Sequence, residues 1–63
     1  MYELVVHHPG PGVATERVKL ARSSDVLDMI PRLLARHHGC ERIDVMYSGG
    51  KLFSVDCAGN ELR

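Results

Sequence analysis

Apolar and polar residues alternate from the start of the chain. Tyr2, Leu4, Val6 and His8 share one parity, and Glu3, Val5 and His7 share the other. That period predicts a strand over 2–8, with Val5 lending its second face some apolar character. Pro9-Gly10-Pro11-Gly12 comes next. Its prolines remove ladder donors, so a turn or loop tip is expected. Alternation resumes over Thr15–Arg22, with Val18 and Leu20 expected inward and Arg17, Lys19 and Ala21 outward. Pairing position 4 with 18 sets Glu3 opposite Lys19, a favourable cross-strand pair on the outer face.

The period then lengthens. Ser23-Ser24-Asp25 reads as a helix start, a serine N-cap followed by an acidic residue where the helix dipole favours negative charge. Val26, Leu27, Ile30, Leu33 and Leu34 recur at helical spacing as one apolar stripe, with Asp28, Arg32, Ala35 and Arg36 on the other side. Pro31 cannot donate to the carbonyl of Leu27, so a bend or a restart is expected there. Arg36, His37 and His38 fill the last turn, where positive charge suits the dipole, and Gly39 stands at the expected C′ position.

Two further strands follow. Arg42–Tyr47 places Ile43, Val45 and Tyr47 on one face, and Lys51–Cys57 places Phe53, Val55 and Cys57 on one face. A Gly49-Gly50 turn would set Val45 against Ser54. A three-residue Ser48-Gly49-Gly50 loop instead sets Val45 against Phe53 and Ile43 against Val55, with Gly50 at the left-handed position of a bulge. The second register keeps apolar residues together and is the one expected. Ala58-Gly59-Asn60 reads as a final turn, and Glu61-Leu62-Arg63 as a short tail.

The order ββαββ over residues 1–63 implies a single α+β domain, a four-stranded sheet with one helix burying its stripe against one face. Strands one and four are apolar on both faces, counting Val5 and Leu52, and are therefore expected at the centre. That gives the order 2-1-4-3 with a parallel central pair; the all-antiparallel alternatives are 2-1-3-4 and 1-2-4-3. The preferred order resembles the β-grasp arrangement of ubiquitin-like domains, with Ser24-Asp25 opening the helix. Carrier members of that group use a C-terminal Gly-Gly. Here Gly49-Gly50 is internal and the sequence ends Leu62-Arg63, so carrier function is not expected.

Charge narrows the functional classes. Eight basic and eight acidic residues give a formal net charge of zero, which does not favour a general polyanion binder. No apolar run approaches the roughly 20 residues that span a bilayer, and the N-terminus lacks the pattern of a secretion signal. A cytoplasmic location is therefore expected, and with it free thiols at Cys40 and Cys57; the register sets Cys57 opposite Glu41 and turns Cys40 the other way, so a disulfide would need Gly39 to let the chain swing.

Candidate chemistry is sparse. His7, His8, His37, His38, Cys40 and Cys57 are possible zinc ligands, but His37-x-x-Cys40 supplies only one half of a structural site, and His7 and His8 point to opposite faces. Cys40 with His37 or His38 and Asp44 or Asp56 outlines a nucleophile, base and acid, although each has a simpler reading as a loop thiol, a helix-end imidazole or a solvated strand acid. Nucleic-acid binding would use Arg17, Lys19, Arg22, Arg32, Arg36 and Arg42, but no aromatic residues are interleaved with them. No catalytic residues and no cofactor are expected.

What remains is binding to another protein through the open sheet face, whose outer set of Val5, Arg17, Lys19 and Leu52 is mixed, with Glu3, Val5, Arg17, Lys19, Arg32 and Arg36 as the candidate residues. An exposed edge strand would also allow a homodimer. In size and economy the chain resembles small accessory proteins of phages and mobile elements, including anti-CRISPR inhibitors. That likeness implies a bacterial defence complex as partner. A small RNA- or DNA-binding regulator is the alternative, and a zinc-stabilised module the second.

Overall fold

The computed structural model describes residues 1–10 and 16–62. The strands are β1 (Tyr2–His7), β2 (Glu16–Leu20), β3 (Arg42–Tyr47), β4 (Gly50–Asp56) and β5 (Glu61–Leu62), and the helix α1 (Ser23–Arg36) lies between β2 and β3. Pro11 and Gly12 of the expected turn, Thr15 at the expected start of the second strand, and Arg63 lie outside the described residues.

The class is α+β, with one helix against one face of a sheet, and the sheet has five strands in the order β2-β1-β3-β4-β5. Every neighbouring pair is antiparallel. The preferred order 2-1-4-3 and its parallel central pair are thus corrected to the antiparallel alternative 2-1-3-4, extended by β5. Because β2 and β3 both run antiparallel to β1, they run the same way as each other, and α1 carries the chain across β1 between them.

Leu52 explains the misplacement. It is a bulge residue with 55% exposure, so its apolar side chain does not mark a central strand. β3 is central despite carrying Asp44 on its outer face, because neighbouring side chains satisfy that carboxylate.

Both expected registers hold. Leu4 pairs with Val18 and Glu3 with Lys19; Val45 pairs with Phe53 and Ile43 with Val55. The loop between β3 and β4 is built differently from the expected three-residue form. Ser48 (φ 50°) and Gly49 (φ 85°) make a two-residue turn between the paired Tyr47 and Gly50. Positive φ at both central positions is the geometry whose twist matches a hairpin. The bulge comes one step later, where Met46 faces Lys51 but Val45 faces Phe53, and the extra Leu52 restores the apolar register.

The core is Leu4 and Val6 from β1, Val26 and Leu33 from α1, Ile43 and Val45 from β3, Val55 from β4, and Cys40. Ile30 and Leu34 pack at its margin, whereas Leu27 is 69% exposed and leaves the expected stripe. Leu27 and Leu34 lie one heptad apart on the same helix face. The turn after β4 covers only the Leu34 end: a Cβ on Gly59 would sit 3.4 Å from Leu34 Cδ1.

α1 runs unbroken through Pro31, which lies on its exposed side. There the unbonded Leu27 carbonyl can turn to water, so the proline is tolerated. Arg22, not a serine, is the N-cap residue and gives no side-chain cap; the first turn is held by Asp25 N–H donating to the Arg22 carbonyl at 3.1 Å.

His37 closes the helix, its N–H donating to the Leu33 carbonyl at 2.9 Å. Gly39 (φ 79°) then turns the chain so that Cys40 is buried. Cys40 is disulfide-bonded to Cys57, with Cα atoms 5.5 Å apart. The expected free thiols are therefore corrected. Strand parity pointed Cys40 away from Cys57, but β3 begins only at Arg42, and parity does not govern the segment before it. The β4–β5 turn is organised by Asp56, whose carboxylate accepts the Ala58 and Asn60 N–H groups at 2.9 Å each. With it, the expected tail becomes the short strand β5.

Candidate protein-binding face

Strand alternation determines what the outer face of the sheet presents. Opposite α1 stand Glu3, Val5 and His7 of β1, Arg17 and Lys19 of β2, Arg42, Asp44 and Met46 of β3, and Ser54 of β4. Among the described residues no element of the chain lies over this face. Of the candidate binding residues, Glu3, Val5, Arg17 and Lys19 are brought together here. Glu3 pairs with Arg17 at 3.2 Å, diagonally rather than with Lys19 directly opposite. Arg32 and Arg36 lie on the helix side and do not join them. Arg36 instead reaches Glu16 at 2.8 Å.

The face has a polar middle and apolar flanks. Asp44, only 8% exposed, is its centre. Its carboxylate accepts from the Ser54 hydroxyl, from Arg42 Nε at 3.1 Å and from His7 Nε2 at 2.9 Å. Burial pushes this carboxyl up, but the Ser54 hydrogen bond and the Arg42 and His7 contacts outweigh it and hold Asp44 below the usual aspartate value.

On one flank, Met1, Glu3, Lys19 and Met46 line a hollow of about 230 Å³ beside the Ser48-Gly49 turn. On the other, Leu52 and Leu62 line a wider depression with Arg42, Lys51, Ser54 and Glu61. Leu62 and Met46 were not foreseen as site residues. Leu62 read as tail, and the place of Met46 on this face depended on the sheet order.

The histidine, aspartate and serine on this face do not form a nucleophile relay. Such a relay needs the serine hydroxyl on the imidazole. Here Asp44 lies between them and takes the hydroxyl itself. The other outlined arrangement is also undone: Cys40 is in the disulfide, Asp44 faces the opposite side from His37, and Asp56 is occupied in its turn. Backbone donors, Asn60 first, hold the Asp56 carboxyl below its usual value against a smaller upward push from burial.

Basic side chains are dispersed, and four of the arginines are paired. Arg22 meets Asp25, Arg42 meets Asp44 and Glu41, and Arg17 and Arg36 have the partners given above. No helix among the described residues is long and apolar enough to cross a membrane. Compared with protein families, with curated proteins and with solved structures, the chain has no significant match.

Proposed function

We propose that this chain is a non-catalytic docking domain that binds another protein through the outer face of its sheet. The observation that carries this reading is the pairing of Leu52 and Leu62, 55% and 42% exposed, in one depression beside the Asp44 network. Apolar residues framed by charges are the usual anatomy of a small interface. A solvated antiparallel sheet face more often carries polar residues alone. Pairing of Arg17, Arg22, Arg36 and Arg42 with carboxylates, and the scatter of Lys19, Arg32 and Lys51 over three elements, favour a protein partner over nucleic acid, which would draw on a stripe of free cations. The disulfide belongs to an oxidising setting, so the proposal departs from the expected cytoplasmic location.

The test is affinity capture from the source cell with three baits: the native chain, a Leu52→Asp/Leu62→Asp variant, and a Leu27→Asp control on the helix side. The proposal requires a partner that the native chain and the control retain and the double variant loses. Loss with the control and retention with the double variant, or no partner with any bait, overturns it.

A further inference from the structure

The end of the molecule where α1 meets the start of β2 holds a cluster that the docking face does not use. Glu16, on the helix side of β2, receives His37 Nε2 at 2.6 Å and Arg36 Nη2 at 2.8 Å. The other ring nitrogen of His37, Nδ1, faces His8 Nε2 at 3.2 Å. The rings are tilted 59° to each other with centroids 5.4 Å apart.

Chemistry assigns the protons. Glu16 is a carboxylate beside the Arg36 guanidinium, and its other oxygen lies 2.6 Å from His37 Nε2. An ionised carboxylate only accepts, so His37 Nε2 carries the hydrogen. In the neutral ring the lone pair is then on Nδ1, directed at His8.

From this geometry we propose that His8 Nε2 and His37 Nδ1 chelate a single borderline transition-metal ion of the zinc, nickel or copper(II) class. Two imidazole nitrogens bound to one such ion at about 2.0–2.1 Å stand about 3.0–3.4 Å apart, depending on whether the site is octahedral or tetrahedral. The observed separation of 3.2 Å falls in that span, so the nitrogens keep their spacing on binding while both rings turn to aim their lone pairs at an ion beside the N···N line. Glu16 is the outer partner: a carboxylate on the far N–H of a ligating histidine fixes the tautomer and strengthens the donor.

Binding moves the His8 hydrogen from Nε2 to Nδ1 by exchange with solvent, so two neutral rings present two lone pairs and no net proton is lost. Among the described residues no three side chains of ligand type converge, so solvent completes the coordination. Cys40 and Cys57 are excluded by their bond to each other, and His7 by its place on the opposite face with Asp44.

The experiment titrates the oxidised protein, without reductant, with zinc chloride, followed by calorimetry and by the imidazole signals in NMR. One ion per chain should bind, with the His8 and His37 ring resonances moving together. His8→Asn should weaken binding at least tenfold, and Glu16→Gln about 10–100-fold, the range for loss of an outer carboxylate. His38→Asn and His7→Asn should bind as the native chain does. The amide spectrum of each variant confirms that the fold is kept. Absence of ring shifts up to millimolar zinc, or binding that survives His8→Asn and is lost in His38→Asn, overturns the proposal.

Discussion

Reducing the Cys40–Cys57 bond should remove a large share of this domain's stability. The bond links positions separated by 17 in sequence. Closing a loop of that length in the unfolded chain is worth about 3 kcal/mol on the chain-entropy view. Ordinary domains have about 0.05–0.15 kcal/mol per residue, which for 63 residues is only about 3–9 kcal/mol in total. At about 4–8 °C per kcal/mol for a domain of this size, the expected fall in Tm is about 12–24 °C.

The assay is paired thermal melts of the same chain, oxidised and then treated with a phosphine reductant, monitored by circular dichroism. Intact mass before and after alkylation reports the thiol state. Reduction, unlike a cysteine substitution, removes the link without deleting a buried sulfur, so the comparison isolates loop closure. Equal melting temperatures for chains shown by mass to differ in thiol state would refute the reasoning. So would two alkylatable thiols in the protein as purified under oxidising conditions.

Two further outcomes follow from the packing and the charges. Leu33→Ala, at a position with no exposure, should cost about 2–5 kcal/mol in denaturant unfolding, whereas Leu27→Ala should cost under about 0.5 kcal/mol because that side chain already stands in water; equal costs would contradict the helix orientation. Asp44 has a folded pKa below its ordinary value of 3.8, so its contribution to stability is fully present above that pH and is lost as pH falls through the folded value. Asp44→Asn should therefore flatten the decline in stability measured below about pH 4, and an unchanged acid limb would refute the carboxylate's role.

The residues that were legible in advance are those whose partners lie along a simple period. Leu4 opposite Val18 and Val45 opposite Phe53 follow from alternation alone, because a one-residue slip would send every apolar side chain to the other face. Val26 and Leu33 follow from the helical period in the same way.

What was not legible depends on contacts the period does not encode. Leu27 has the right spacing but lies beyond the reach of the turn that covers Leu34. Strand order was judged from Leu52, whose apolar character belongs to a bulge. Cys40 sits between the end of α1 and the start of β3, where its direction is set by Gly39 and not by any repeat. The candidate face was half visible: Glu3, Val5, Arg17 and Lys19 were placed by parity, while Met46 and Leu62 needed the sheet order and β5 to be known. Arg32 and Arg36 were drawn in by charge alone and belong to the other side.

The position of β1 has a consequence for how this molecule could be cut. It is the N-terminal strand, yet it is bonded on one side to β2 and on the other to β3. Deleting it would not fray a margin, as trimming β5 would. It would split the sheet, leaving β2 attached only through the helix and the β3–β4 hairpin without its inner neighbour. This strand is thus the keystone of the finished architecture, and it meets its second partner only after the helix that follows β2 has crossed the sheet.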